Sequence, residues 1–195
     1  MMRFKIYRAI AFIFFLLTLA VSFPPLRSSE RWTDVRMVIT IVIAILFFVC
    51  YSFLLSIFNY YEEPGWKNVA VIIFLSGNSV FYFLPLTRAI PNLFFNFSLL
   101  IFYMPLIVAF ATLNEKEIKP LTQSFAYLML IICLLHIVLP FVRGTIDLSG
   151  YSYAFNAIFL LPSALMVLLF HRMAILSAKE NEEQSESDEQ QHDLL

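Results

Sequence analysis

The sequence predicts an all-α fold: a polytopic membrane bundle of six transmembrane helices with a short, polar, acidic C-terminal tail. Two observations carry this. Of the 195 residues, 61% are hydrophobic, 22 are Phe and only 14% are charged; a soluble domain carries about a quarter charged residues. In addition, six stretches of 17 or more residues hold no Asp, Glu, Lys or Arg. Each can cross a hydrocarbon core of roughly 30 Å. Helices in a soluble core would show polar outer faces, and these stretches have none. Open strands are excluded, since each unpaired backbone group in lipid costs several kcal/mol.

Span one, Ala9–Leu26, follows the basic segment "MMRFKIYR". That pattern also resembles a secretory signal peptide, with small residues near Ala20 and Ser22; cleavage there would leave five spans. Its apolar run of 18 residues exceeds the roughly 7–15 of a signal core, which favours a membrane span. Only Thr18 and Ser22 are polar in it, so it is expected to be peripheral and lipid-facing.

Span two, Met37–Phe58, carries Ser52 and Ser56, with Asn59 just beyond, at i, i+4 and i+7. Span three, Val69–Leu86, holds Ser76-Gly77-Asn78-Ser79 at its midpoint. Small residues let backbones approach, and Ser or Asn hydrogen-bonds a neighbouring helix. A helix broken at Gly77 to line a cavity is the alternative. Span four, Leu93–Leu113, presents Asn92, Asn96 and Tyr103 on one face. Only "TRAIPN" joins it to span three, so the two form an antiparallel hairpin.

Span five, Phe125–Val142, carries Cys133, His136, Pro140 and, at its end, Arg143 at i, i+3, i+7 and i+10. Span six, Ala154–Phe170, contains Asn156 and the central pair Pro162-Ser163. Pro85, Pro105, Pro140 and Pro162 each interrupt a span and are expected to act as packing or hinge points. Residues 1–175 therefore form the membrane domain. Residues 176–195 form a tail expected to be disordered or a frayed extension of the last helix.

The net charge of −1 conceals an asymmetry: seven of the 14 acidic residues lie from Glu180 onward, and all 13 basic residues precede it. With the N-terminus inside, eight basic residues fall on inner segments and five on outer ones. Basic residues face the cytoplasm. The expectation is an integral protein of a bacterial cytoplasmic membrane with both termini cytoplasmic. Trp32, Tyr60, Tyr61, Trp66, Tyr151 and Tyr153 stand at span ends, where aromatic belts form.

Polar stripes from several spans meeting inward predict a pocket in the outer half, formed by Asn78, Asn96, His136, Arg143 and Asn156. His136 carries the one imidazole near a span centre, and such an ionisable residue in a membrane is a functional candidate. Ser76, Gly77 and Ser79 fit packing. No Asp or Glu lies within any span, which excludes an aspartyl intramembrane protease and a carboxylate proton relay. Cys133 and His136 have ligand spacing, but only Cys50 could join them, so no metal is expected. No nucleotide-binding glycine motif occurs, and no cofactor or nucleic acid is expected.

Two resemblances bear on function. Gly77-Asn78-Ser79 followed by His136 is similar to the serine–histidine pairing of rhomboid proteases, a six-helix family whose chemistry would imply Ser79 as nucleophile. The sequence departs from that family at Val80, where the motif has a second glycine, and in carrying the pair on spans three and five instead of four and six. Six spans in under 200 residues also looks like the substrate-binding subunits of energy-coupling-factor vitamin transporters. Their small-xxx-small motif is not evident in "AIAFIFFLLTLA". The residues themselves favour a non-enzymatic membrane sensor or interaction module, partnered by the bilayer and by a membrane protein or small ligand. A small-molecule transporter or channel subunit is the alternative, and an intramembrane serine protease a remote one.

Overall fold

A computed structural model describes residues 2–22, 33–83, 92–142 and 152–192. Seven helices follow in order: α1 (Met2–Ser22), α2 (Thr33–Ser52), α3 (Leu54–Tyr60), α4 (Gly65–Phe83), α5 (Asn92–Ala111), α6 (Lys119–Val142) and α7 (Ser152–His192). No strand occurs among the described residues, and the chain is all-α.

The break between α2 and α3 is slight. Phe53 keeps helical angles, φ −65° and ψ −18°, and its N–H is shared between the carbonyls of Val49 at 3.3 Å and Cys50 at 3.2 Å. Ser52 Oγ also donates to the Val49 carbonyl at 2.7 Å, a back-bond that bends helices. The pair is one rod with a tightened turn.

Three helical stretches among the described residues are long and apolar enough to cross a membrane: Arg3–Ser22, Met37–Tyr60 and Leu160–Glu183. Leu100–Ala111 and Lys119–Leu135 are shorter apolar helices of the same character.

The helices close into a ring. α1 packs on α2, α2 on α4, α4 on α5, α5 on α6, α6 on α7, and α7 returns to α1. Lys67 of α4 bonds the Thr112 carbonyl just past α5, while Asn78 bonds Tyr103, so α4 and α5 run antiparallel. The linker "TRAIPN" lies outside the described residues except for Asn92.

Span one, expected to be peripheral and largely lipid-facing, is exposed over most of its length, yet one face of it is packed. The α1–α7 contact is the most extensive in the ring, and Phe4, Ala11 and Phe14 of α1 are buried in the core. Polar residues are not needed for this, because helices in lipid associate by van der Waals fit around small side chains such as Ala11.

One end of the ring, where α1 begins, is tightly packed. Leu54, Ile57, Phe58, Phe110, Leu113, Ile118 and Phe170 there have no or almost no exposed surface. Phe110 bridges Phe58 and Phe125, with ring centroids 5.4 and 5.0 Å apart. Such tilted contacts add to burial by roughly 0.5–1.5 kcal/mol each. Polar ties surround this plug: Tyr7 to Ser56 at 3.2 Å, Arg8 to His171 Nδ1 at 3.0 Å, and Tyr61 OH to Met173 Sδ at 3.5 Å.

α7 continues beyond the plug. Its 41 residues span about 60 Å at 1.5 Å per residue, roughly twice a hydrocarbon core. The acidic segment is part of this helix as far as His192. Glu180 on it accepts a hydrogen bond from Tyr60.

Candidate functional site: a cavity at the centre of the ring

The helices of the ring line a partly open cavity of about 280 Å³. α1 contributes Phe14 and Thr18, and α2 contributes Ile43, Phe47 and Tyr51. Tyr103 comes from α5, Met129 and Ile132 from α6, and Pro162 and Ser163 from α7. Five of the six rods thus reach one space, at the middle of each predicted span. Among the described residues no charged side chain lines it.

Local chemistry decides what the lining presents. Thr18 Oγ1 donates to the Phe14 carbonyl at 2.7 Å, and Ser163 Oγ donates to the Leu160 carbonyl at 2.7 Å. Both hydroxyl protons are therefore spent within their own helices, as Ser and Thr in helices commonly do. Tyr103 donates to Asn78 Oδ1 at 3.2 Å. The aromatic wall is continuous: Tyr51 lies 4.5 Å from Phe47 and 4.7 Å from Phe74, and Phe74 lies 4.8 Å from Tyr103.

α4 stands behind this wall and sets its position. Gly77 is buried against Phe102, and a Cβ there would lie 2.7 Å from the Phe102 Cβ and closer still to the ring. Only glycine permits this approach of α4 to α5. Asn78 is 4% exposed; its Nδ2 donates to the Phe74 carbonyl at 2.8 Å. α4 is continuous through the cluster. Ser79 Oγ donates to the Leu75 carbonyl at 2.9 Å, and Ser76 is exposed.

Of the residues selected from the sequence, Asn78 meets Tyr103 behind the cavity and Pro162 lines it. Pro105 lies within α5 and does not line the cavity. Arg143 lies outside the described residues, as do the side chains of Asn96, His136, Pro140 and Asn156. Sequence reasoning passed over Thr18, Tyr51 and Met129. A tyrosine deep inside a charge-free stretch, away from either belt, was the available signal for Tyr51.

A second feature also escaped it. Lys67, expected in a loop, is 2% exposed. Its Nζ lies 2.7 Å from Glu63 Oε2 and donates to the Thr112 carbonyl at 3.1 Å. The lysine thus clamps the start of α4 to the end of α5, where helix carbonyls attract a cation. The Glu63/Lys67 spacing of i, i+4 was legible; the burial was not.

Compared with protein-family models, curated proteins and solved structures, the chain matches none of them.

Proposed function

We propose that the chain is a multi-pass integral membrane protein of six spans, with both termini cytoplasmic, acting as a non-enzymatic sensor or interaction module around a central pocket. The central cavity supports this reading: five rods converge on one space while the end where α1 begins is plugged by apolar side chains. A pocket open on one side and sealed on the other suits recognition. A transporter needs a polar path through both halves, and the Phe58–Phe110–Phe125 stack occupies the inner one.

Helical spacing supports an opening toward the outer side. Asn96 precedes Tyr103 by two turns, Asn156 precedes Ser163 by two turns, and His136 follows Ile132 by one. Three of the expected pocket residues thus continue, each on its own helix, a line that begins at a cavity residue. Ligand binding would act by shifting helices whose prolines, Pro105 and Pro162, weaken the hydrogen-bond ladder locally.

The test is accessibility. In a background with Cys50→Ser and Cys133→Ser, His136→Cys should react with an impermeant thiol reagent added outside. Absence of reaction there, with efficient reaction of a Ser149→Cys control, contradicts a pocket open to that side.

A further inference from the structure

Two of the hydroxyls that line the cavity, those of Thr18 and Ser163, are oriented toward their own helices, and this bears on the kind of molecule that fits. Thr18 and Ser163 spend their protons on the Phe14 and Leu160 carbonyls, both at 2.7 Å. What each hydroxyl can still offer a ligand is an oxygen with lone pairs. The rest of the described lining is aromatic and aliphatic, with the Tyr103 hydroxyl bonded to Asn78, and among the described residues no charged side chain reaches it. An ionic ligand would be buried without a counter-charge, at a cost of several kcal/mol. A ligand with only acceptor groups would meet lone pairs.

Size narrows the class further. At about 280 Å³ the cavity is close to twice the roughly 150 Å³ of an apolar cavity that admits benzene. It lies just below the range of pockets for drug-sized ligands, which begins at roughly 300 Å³. Phe47 and Tyr51 supply flat faces for a planar ring system.

We infer that the cavity is a binding site for a small, uncharged, one- or two-ring aromatic molecule bearing a hydrogen-bond donor, such as a phenolic or indolic compound. Thr18 and Ser163 accept from the donor, and the aromatic wall takes the ring. The inference rests on the reading of this cavity as the functional site, and it adds the chemistry of the occupant.

The full chain, purified in detergent, is titrated with 1-naphthol and with 1-methoxynaphthalene, which keeps the ring but lacks the donor. Signal from empty micelles is subtracted. Saturable 1-naphthol binding, tighter than that of the ether by roughly three- to tenfold, is expected for one net hydrogen bond. Thr18→Val combined with Ser163→Ala should abolish that preference while both probes still bind. Ile132→Trp, which fills the space, should abolish binding of both; should that variant fail to fold, the wild-type ratio of the two probes decides alone. Equal affinities in wild type, sensitive to Ile132→Trp, leave the cavity as a site and overturn the donor assignment. Preferential binding of trimethylphenylammonium overturns the neutral class. Absence of saturable binding by either naphthalene overturns the inference outright, and it leaves the accessibility result at position 136 to judge the pocket.

Discussion

The Tyr103 hydroxyl donates to Asn78 Oδ1 at 3.2 Å, across the α4–α5 contact and directly behind the cavity wall. It joins the middle of one helix to the middle of the next where neither residue can reach water easily. Asn78→Leu removes the acceptor of this bond, and a loss of roughly 0.5–1.5 kcal/mol in unfolding free energy is expected. Tyr103→Phe should cost less. Their double-mutant coupling should be about 0.6 kcal/mol, the average for hydrogen bonds between membrane helices. Reversible unfolding in mixed micelles reads all three.

Gly77→Ala is expected to destabilise by roughly 1–3 kcal/mol through overpacking, since the new Cβ would meet the Phe102 Cβ at 2.7 Å. Adding Phe102→Leu should recover part of the loss. Ser79→Ala should change stability by less than about 0.5 kcal/mol, because its hydroxyl serves only the Leu75 carbonyl among the described residues. A fluorophosphonate should fail to label Ser79; labelling of wild type that Ser79→Ala removes would restore the protease reading.

Lys67 and Glu63 should behave as a unit. Lys67→Met leaves the Glu63 carboxylate, itself 12% exposed, beside apolar surroundings, and a cost of roughly 3–5 kcal/mol is expected for breaking such a pair. Lys67→Met with Glu63→Gln should be milder than Lys67→Met alone. A double variant as unstable as the single one would show that the Thr112 carbonyl contact, not the charge pair, dominates.

Burial first, and then the neighbouring Glu115, raises the Tyr61 phenol above the ordinary tyrosine range, with smaller contributions from Tyr60, Glu180 and Glu117. The folded protein therefore holds this proton more tightly than the unfolded chain does. The resulting stability is fully present below a pH of about 10, the unfolded tyrosine value, and is lost as pH rises above it. Tyr61→Phe should flatten the alkaline limb of melting temperature against pH. An unchanged limb would assign the loss to other groups.

The all-α class was legible because long charge-free apolar runs favour continuous helices, and each of the six runs overlaps a helix among the described residues. Gly77 was read as a packing residue from its small size, whereas Asn78 was assigned to the pocket; its side chain bonds the Phe74 carbonyl and Tyr103. The ring order was less accessible: span one looked peripheral on its lack of polar residues, yet Phe4, Ala11 and Phe14 bury against α7 and α2. Shape fit between apolar side chains leaves no polar pattern to read. The cavity was missed for the same reason, since Phe47, Met129 and Ile132 look alike in sequence whether they face lipid, core or a void. Thr18 and Ser163 were visible, but their convergence is a property of three dimensions.

The most direct test of the account is the number of membrane crossings. Single cysteines are introduced, one at a time, into intact cells expressing the Cys50→Ser, Cys133→Ser chain. Ser29→Cys, Ala89→Cys and Ser149→Cys should react with an impermeant thiol reagent added outside. Glu62→Cys, Asn114→Cys and Ser185→Cys should react only after the membrane is opened. That alternation is the signature of six crossings with both ends inside. Reaction of Ser185→Cys in intact cells, or protection of both Ala89→Cys and Ser149→Cys, would contradict it.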